Sequence, residues 1–121
     1  MPRRAIKPEA AVQKAVLDLL AAERVYALRL NTIAVRTREG RPLWSHSGGP
    51  GVADIVAFPH IALPVAEMRR QVAVLWIECK SPDGRQTPQQ REFQSDMTGR
   101  GMHYLLARGP EDVYRWLQEH R

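Results

Sequence analysis

The segment WIECKSPDGRQTPQQ (Trp76–Gln90) decides the fold, because it holds the end of a strand, a turn and the start of a helix. Its first residues close the almost continuous apolar run VAVLWIECK (Val72–Lys80), which is typical of a buried strand. SPDGRQ predicts a turn. In TPQQ, a threonine cap, a proline at the first helical position and a glutamine three residues after the cap predict a helix from Thr87 to Gly99.

Two charged residues stand at the end of this apolar run. Glu78 and Lys80 are two residues apart, so on a strand they share one face, while Ile77 and Cys79 point to the other. This alternation favours Cys79 as a small core residue rather than a nucleophile. The pair itself has two interpretations: a surface salt bridge, which typically contributes about 0–1 kcal/mol, or part of an active site.

The remaining elements are predicted from apolar spacing and turn residues. An apolar stripe at helical spacing predicts a helix from Pro8 to Ala22, and an amphipathic helix closes the chain at PEDVYRWLQEH. Further segments are assigned as follows: strands at Val25–Asn31, Val52–Phe58 and HYLLA, a hairpin connection at TREGRP, and a short helical or irregular excursion over His60–Gln71. This order predicts an α/β fold whose mixed sheet has helices on both faces.

Composition narrows the class of protein. The length of 121 residues suits one domain, and the 18 Lys and Arg against 13 Asp and Glu give a net charge of +5, which favours a polyanionic partner. Cys79 is the one cysteine, so no intrachain disulfide can form, which suits a reducing cytoplasm. No apolar run reaches the roughly 20 residues of a membrane span. The basic opening is followed by no long apolar segment, so we expect no signal peptide.

A second carboxylate gives the Glu78–Lys80 pair a chemical meaning. Asp54 sits early in a strand that follows the glycine-rich loop GGPG, and this strand would neighbour that of Glu78 if the chain makes a meander. Two carboxylates from adjacent strands can bind Mg²⁺, and the backbone carbonyl of Cys79 could be a further ligand. Lys80 could orient or deprotonate water, or stabilise charge on a phosphate. These residues suit metal-assisted hydrolysis of a phosphodiester.

The order of these motifs matches a known pattern. GVAD (Gly51–Asp54) followed by IECK (Ile77–Lys80) resembles the signature of the PD-(D/E)XK nucleases, and the chain is similar to a stand-alone VRR-NUC domain of the virus and phage type. The other matching residues are Glu9, RLN (Arg29–Asn31) and TPQQREF (Thr87–Phe93). The resemblance implies a restriction-endonuclease-like fold with an αβββαβ core, a mixed central sheet flanked by helices and an extra C-terminal helix, in a single domain over residues 1–121.

The resemblance also implies roles for individual residues. Asp54 and Glu78 would bind Mg²⁺ or Mn²⁺, and Lys80 would position water or stabilise the transition state. Gln90 would line the site from the start of its helix. Glu9 would support the site or help to bind a second metal. The glutamine before Gln90 is adjacent to it, and the spacing TP-x-Q favours Gln90.

A substrate and an assembly follow from the same resemblance. Family members cut DNA, and the small phage-type members are similar to Holliday-junction resolvases that act as homodimers. The implied partners are therefore branched DNA and a second copy of the chain, with no membrane, in the cytoplasm of a bacterial host that carries a phage or prophage. Four side chains near the predicted hairpin could contact DNA phosphates, or could form a solvated hairpin: Arg36, Arg38, Arg41 and His46.

Several of these residues also have simpler interpretations. Asp54 could be a turn residue that bonds to its own backbone. Gln90 could complete the capping box of its helix, and Glu9 suits a first helical turn in any protein because it interacts favourably with the helix dipole. Trp44 could stack on a base or pack in the hairpin. The isolated histidines show no metal-ligand spacing: His60, His103 and His120.

Three functions compete on the sequence. The first is a metal-dependent endonuclease acting on branched or structured DNA as a dimer, or as a monomer that nicks or cuts flaps. The second is a non-catalytic nucleic-acid-binding domain, which the presence of all five expected site residues disfavours. The third is a metal-dependent enzyme acting on a small phosphate ester. The net charge of +5 and the lack of a glycine pattern for nucleotide binding argue against this third function.

Overall fold

The computed structural model describes residues 8–30, 35–36, 42–43, 51–63 and 70–121, and of residues 35–36 and 42–43 it describes the backbone alone. In chain order the elements are α1 (Pro8–Ala22), β1 (Tyr26–Arg29), β2 (Val35–Arg36), β3 (Pro42–Leu43), β4 (Ile55–Phe58), β5 (His60–Ala62), β6 (Arg70–Val72), β7 (Leu75–Cys79), α2 (Pro88–Gly99), β8 (His103–Ala107) and α3 (Pro110–His120). No helix within these ranges is long and apolar enough to cross a membrane.

A four-stranded mixed sheet carries the fold, in the order β1-β4-β7-β8. The first three strands form an antiparallel meander, with Arg29 opposite Ile55 and Ile55 opposite Ile77. Strand β8 joins β7 in parallel after the crossover through α2, with Ile77 opposite Leu105. The predicted mixed α/β sheet is therefore confirmed, and so is the predicted adjacency of the strand after Asp54 and the strand of Glu78.

Helices cover opposite faces of this sheet, as predicted. One face carries the main core, in which Val16 and Leu20 of α1 and Leu117 of α3 pack on the alternate strand residues that include Ile55 and Ile77. The other face receives α2, whose Phe93 meets Trp76 edge-on with ring centroids 5.1 Å apart. Because successive strand residues alternate between faces, Glu78 lies on the α2 face and Cys79 in the main core.

The helix cap and the amphipathic helix predicted from the sequence are both confirmed. Helix α2 begins at Pro88 after the N-cap Thr87, with both hydrogen bonds of a capping box present. Helix α3 buries one stripe of side chains, those of Val113, Trp116 and Leu117. Caps and apolar stripes are local features, so the sequence suffices to predict them.

Two strands are shorter than predicted. The predicted strand Val25–Asn31 is Tyr26–Arg29, and the predicted strand Val52–Phe58 begins only at Ile55. Asp54 therefore lies just before strand β4 rather than early within it. Strand pairing with both neighbours starts after Asp54, and the apolar pattern of the sequence does not mark where pairing starts.

The interpretation of His60–Gln71 as a helical or irregular excursion is wrong at both ends. Strands β5 and β6 pair antiparallel there, with Ile61 opposite Gln71. The predicted strand Val72–Lys80 is correspondingly split, since Val72 belongs to β6 and β7 begins at Leu75. This small sheet is mostly exposed, so its residues lack the alternation that marks a half-buried strand.

The predicted hairpin connection at TREGRP joins two paired strands. Strands β2 and β3 pair antiparallel, with Arg36 opposite Pro42, which confirms the hairpin. Three of the candidate DNA-contacting residues lie outside the described residues: Arg38, Arg41 and His46. The backbone of Arg36 lies in β2. Trp44 also falls outside the described residues.

Candidate active site

The sheet register brings the two carboxylates together. Ile55 is opposite Ile77 in the antiparallel pairing of β4 and β7. One step further along both strands, the same register sets Asp54 opposite Glu78. Asp54 is two residues from Val56, and Glu78 is two residues from Trp76. Because residues two apart on a strand share a face, both side chains are expected on the face that α2 covers. Residues separated by more than twenty positions thus meet at one end of the sheet.

Asp54 is fixed on both sides by backbone groups. The amide of Leu30 donates to its carbonyl oxygen at 2.7 Å, and the amide of Cys79 donates to its carboxylate Oδ2 at 2.8 Å. Oδ2 of Asp54 therefore bonds to the backbone of β7 and not to the turn of Asp54 itself, as the alternative interpretation had it. The Asp54 carboxylate is tied instead to the strand of Glu78.

Glu78 is a buried acid, with 2 % of its surface exposed. Burial, with the charge of the neighbouring Asp54 as the second cause, raises the pKa of Glu78 to about 8, while the charge of Lys80 acts in the opposite direction. Within the described residues, Oε2 of Glu78 has no hydrogen-bond partner. An ionised Glu78 would leave that oxygen without a donor, whereas a protonated one can donate to the Asp54 carboxylate.

Lys80 is also buried, with 6 % of its surface exposed. Its Nζ lies 3.9 Å from Oε1 of Glu78, which is too long for a hydrogen bond. The interpretation of this pair as a surface salt bridge is therefore wrong, because both side chains are buried. Since burial raises the pKa of Glu78 to about 8, its carboxyl is mainly neutral at pH 7 in the metal-free protein, and Lys80 lies beside this neutral group.

Gln90 both caps its helix and reaches the carboxylate pair. Its backbone amide donates to Oγ1 of Thr87 at 3.1 Å, and its Oε1 accepts from the amide of Thr87 at 2.9 Å. Its Nε2 donates to Oε1 of Glu78 at 2.9 Å. The two interpretations left open by the sequence are compatible, because the amide group has an acceptor and a donor that serve the two contacts separately.

Glu9 lies beside the carboxylate pair rather than in it. Its side chain is exposed, and of the groups that shift the pKa of Glu78 its charge is the smallest contributor. A depression of about 370 Å³ lies beside Ser81, the residue that follows Lys80, and is lined by Pro8, Glu9, Ala10, Gln13, Arg29 and Ser81. Arg29, the first residue of the RLN segment, also lines this depression. Its position at the end of β1, beside Ser81, makes it a cation near the site.

Cys79 is a core residue, as predicted. Its side chain is fully buried, and burial raises the pKa of its thiol to about 12, with the charges of Asp54 and Glu78 acting in the same direction. The N–H and C=O of a strand residue point to the same side. Because the Cys79 amide is directed at Asp54, its carbonyl oxygen also points toward the carboxylate side.

The glycine-rich loop contacts the start of α2 directly. Gly51 has a φ of +94°, and a Cβ added there would lie 2.4 Å from the carbonyl oxygen of Gln89. A side chain would therefore clash and would also strain the backbone. Gly51 allows the segment before Asp54 to pack on the turn of helix that presents Gln90.

Two of the histidines are not isolated. The rings of His103 and His120 lie 5.6 Å apart, and His120 stacks on Trp116 at 3.8 Å. Burial lowers the pKa of His103, and His120 lowers it further. Within the described residues, no group of three or more His, Cys, Asp or Glu side chains could hold a metal. The histidine pair is therefore a packing cluster at the α3–β8 contact.

The donor set at Asp54 and Glu78 fits a hard divalent cation. It comprises the carboxylates of Asp54 and Glu78 and the nearby backbone carbonyl of Cys79, and Oε2 of Glu78 has no hydrogen-bond donor among the described residues. Mg²⁺ commonly binds one or two carboxylates and completes its shell with water and phosphate oxygens. A site with two protein carboxylates therefore has ligands of the kind that Mg²⁺ or Mn²⁺ prefers.

Comparisons with known proteins address the fold. No protein-family model matches the chain, and no curated protein does. A solved structure described as a "VRR_NUC domain" superimposes on it with a TM-score of 0.61 at 17% sequence identity, covering 96% of this chain and 100% of the other. At this identity the match concerns the path of the backbone. The chain therefore has the fold of a VRR-NUC domain.

Proposed function

We propose that the protein is a divalent-metal-dependent endonuclease that hydrolyses phosphodiester bonds in DNA. The observation that carries this proposal is the pairing of Asp54 with the buried Glu78 on a VRR-NUC fold, where one oxygen of Glu78 has no hydrogen-bond donor among the described residues. A structural pair of acids so close together would be unfavourable unless a proton or a cation lay between them. A cation site beside a buried lysine suits chemistry on an anionic substrate.

Asp54 and Glu78 would hold Mg²⁺ or Mn²⁺, with the Cys79 carbonyl as a further ligand. When bound, the metal supplies Lewis-acid polarisation of the phosphate and lowers the pKa of water. Asp54 is kept in place by the Cys79 amide, and Gln90 fixes the rotamer of Glu78 through its 2.9 Å hydrogen bond. These contacts preorganise the two carboxylates before substrate arrives.

Lys80 would act on the reacting groups. Its side chain lies on the same face as Glu78 and is almost fully buried. In that position it can hold a water molecule for attack or neutralise the charge that develops on the phosphate, and such fixed charges act strongly where water is excluded. Glu9 and Arg29 line the depression beside Ser81, from which Glu9 would support the site and Arg29 would meet the DNA backbone.

The preferred substrate would be branched DNA, cut by a homodimer. A junction resolvase must cut two strands symmetrically, and one chain offers one site, so a two-fold dimer would supply the second. The net charge of +5 suits a polyanion. The proposal treats residues 1–121 as one nuclease domain of phage or prophage origin that acts in the bacterial cytoplasm.

The test is a cleavage assay on a labelled four-way junction, a flap and a linear duplex, with Mg²⁺, Mn²⁺ or EDTA. Glu78→Gln and Lys80→Met should abolish cutting while preserving shape, whereas the exposed controls Glu92→Gln and Lys14→Met should cut like the wild type. Binding of Mn²⁺, followed by electron paramagnetic resonance, should weaken in Glu78→Gln. Absence of metal-dependent cutting on every substrate would disprove the proposal, and binding without cutting would indicate a non-catalytic domain.

The assembly is tested separately. Light scattering of the protein, free and with the junction, should give twice the mass of one chain. A strict monomer that still cuts would rule out resolvase action by a dimer and favour a nicking or flap activity.

A further inference from the structure

The turn that follows Lys80 is closed by one arginine, Arg108, which follows the C-terminal end of the neighbouring strand β8. Arg108 Nη1 donates to the carbonyl oxygens of Ser81 at 2.7 Å, Pro82 at 3.2 Å and Gly84 at 2.7 Å. A guanidinium nitrogen carries two hydrogens, so the two short bonds are made directly and the third is shared. Three carbonyl oxygens thus converge on one cationic nitrogen.

Arg108 is itself held in place. Its backbone amide donates to Oδ2 of Asp112 in the first turn of α3 at 2.9 Å. The preceding residue, Ala107, accepts a hydrogen bond of 3.0 Å from the amide of Lys80. The guanidinium therefore extends from a fixed junction of β8 and α3, beside the strand end that carries Lys80.

The clamped turn packs on the side chain of Lys80. A Cβ added at Gly84 would lie 3.3 Å from Cδ of Lys80 and 3.1 Å from Oγ of Ser81. The backbone of Gly84 therefore covers the aliphatic part of Lys80, and the amide of Gly84 closes the turn on the carbonyl of Ser81 at 3.0 Å. Any opening of this turn would uncover Lys80 and release its rotamer.

The same turn leads into the helix that presents Gln90. After Gly84, the side chain of Gln86 donates to the Tyr104 hydroxyl at 3.0 Å and to Oε1 of Gln94 at 3.0 Å. The segment between Lys80 and α2 is thus anchored to the sheet at both ends, by Arg108 at its start and by Gln86 at its end. The Arg108 anchor is the one nearest the lysine.

We infer that Arg108 is a positioning residue for the proposed reaction, which holds the Ser81–Gly84 turn closed over Lys80 and so fixes the lysine ammonium at the carboxylate pair. The inference rests on the proposed nuclease function. Arg108 would touch neither metal nor scissile phosphate. Its effect would appear in kcat rather than KM, since displacement of a catalytic group by about 1 Å can cost about 100-fold in rate.

The experiment measures kcat and KM of Arg108→Ala on the DNA substrate that the wild type cuts, with Arg100→Ala as the control that loses one exposed arginine. Arg108→Ala should lower kcat about 10- to 100-fold with KM close to that of Arg100→Ala. Guanidinium chloride at tens of millimolar should restore much of the lost kcat by entering the vacated carbonyl cluster. Sodium chloride at equal ionic strength should not.

Two results would overturn the inference. One is a kcat of Arg108→Ala within twofold of that of Arg100→Ala. The other is a rise in KM alone without guanidinium rescue, which would make Arg108 a DNA contact. Where Arg108→Ala fails to fold, Arg108→Lys is the second variant, and it should also lose kcat because the shorter lysine side chain cannot place its nitrogen where Nη1 of Arg108 meets the three carbonyl oxygens.

A second measurement separates this inference from the proposed function. Hydrogen exchange of the Gly84 amide should accelerate at least tenfold in Arg108→Ala and slow again on addition of guanidinium, whether or not the protein cuts DNA. A wild type that cuts nothing would defeat the nuclease proposal while this exchange result stood. Unchanged hydrogen exchange at Gly84 would disprove the role of Arg108 in closing the turn, even if the protein cuts DNA.

Discussion

Nε2 of Gln90 lies 2.9 Å from Oε1 of Glu78, while Oε1 of the same glutamine accepts from the backbone amide of Thr87 at 2.9 Å. One side-chain amide therefore connects the start of α2 to the buried carboxyl group of Glu78. A helix cap is a local device, but here its position is tied to a strand in the middle of the sheet. The cap and the candidate site consequently share one residue.

Variants of Gln90 and Thr87 should separate these two roles. Gln90→Ala and Thr87→Ala each break the capping box, and each should lower the free energy of unfolding by about 1 kcal/mol. Only Gln90→Ala also removes the hydrogen bond to Glu78, so it alone should lower nuclease activity, by about tenfold or more. Urea denaturation and cleavage rates check this. Equal activity in the two variants would show that Gln90 only caps the helix.

The stability of the metal-free protein should depend on the protonation of Glu78. Its pKa rises from 4.5 to about 8 on folding, so the folded state retains a proton that the unfolded state has released between these pH values. The stability contribution is complete below pH 4.5 and is lost as pH rises to about 8, with a slope of at most about 1.4 kcal/mol per pH unit. Urea denaturation in EDTA from pH 5 to 8 measures it.

Glu78→Gln is the control for this pH dependence, because glutamine has a similar shape and does not titrate. As the pH rises from 5 to 8, the free energy of unfolding of the wild type should fall relative to that of Glu78→Gln. Parallel curves for the two proteins would contradict the raised pKa of Glu78.

The Cys79 thiol should be inert in the folded protein. It is fully buried and its pKa is raised to about 12, and the thiolate is the reactive form. Labelling with a disulfide reagent at pH 8 should therefore proceed only through unfolding and should accelerate with urea in step with loss of structure. The fully unfolded chain should react at once. Rapid labelling of the native protein would show that the main core is open at this end of β7.

Gly51 should tolerate no side chain. Gly51→Ala should destabilise the protein by about 2 kcal/mol or more, since it adds left-handed strain of about 1–2 kcal/mol to a contact with the Gln89 backbone. Gly99→Ala is the matched control, because nothing lies within 4 Å of its added Cβ at the end of α2, and it should be neutral or stabilising by up to about 1 kcal/mol. Thermal unfolding of both variants provides the comparison.

Arg24→Gly should stabilise the protein. Arg24 has a φ of +58°, just after α1, where the amide of Val25 bonds to Leu20 and that of Arg24 bonds to Ala21. This is the left-handed position of a helix end that glycine usually fills. The free energy of unfolding of the glycine variant should rise by about 0.5–1 kcal/mol, once the lost attraction between the arginine and the helix dipole is subtracted. Arg24→Ala, which keeps the strain, should show no gain in the melting temperature.

The sequence by itself determined the features that depend on neighbouring residues. The capped start of α2 at Thr87 and the apolar stripes of α1 and α3 are set by residues within one or two turns. Alternation along β7 was also enough to separate Cys79, which faces the core, from Glu78 and Lys80 on the other face. These features follow from helix and strand periodicity, which a single segment displays.

Only the tertiary structure decided what Glu78 and Lys80 are. The register of β4 against β7 sets Asp54 opposite Glu78, and packing beneath α2 buries both charged side chains. Burial, rather than residue type, raises the pKa of Glu78. It also shows that Glu78 and Lys80 do not form the surface salt bridge that their spacing allows. The β5–β6 pairing and the Arg108 clamp were likewise invisible in the sequence, because each joins backbone groups of distant segments whose side chains carry no common pattern.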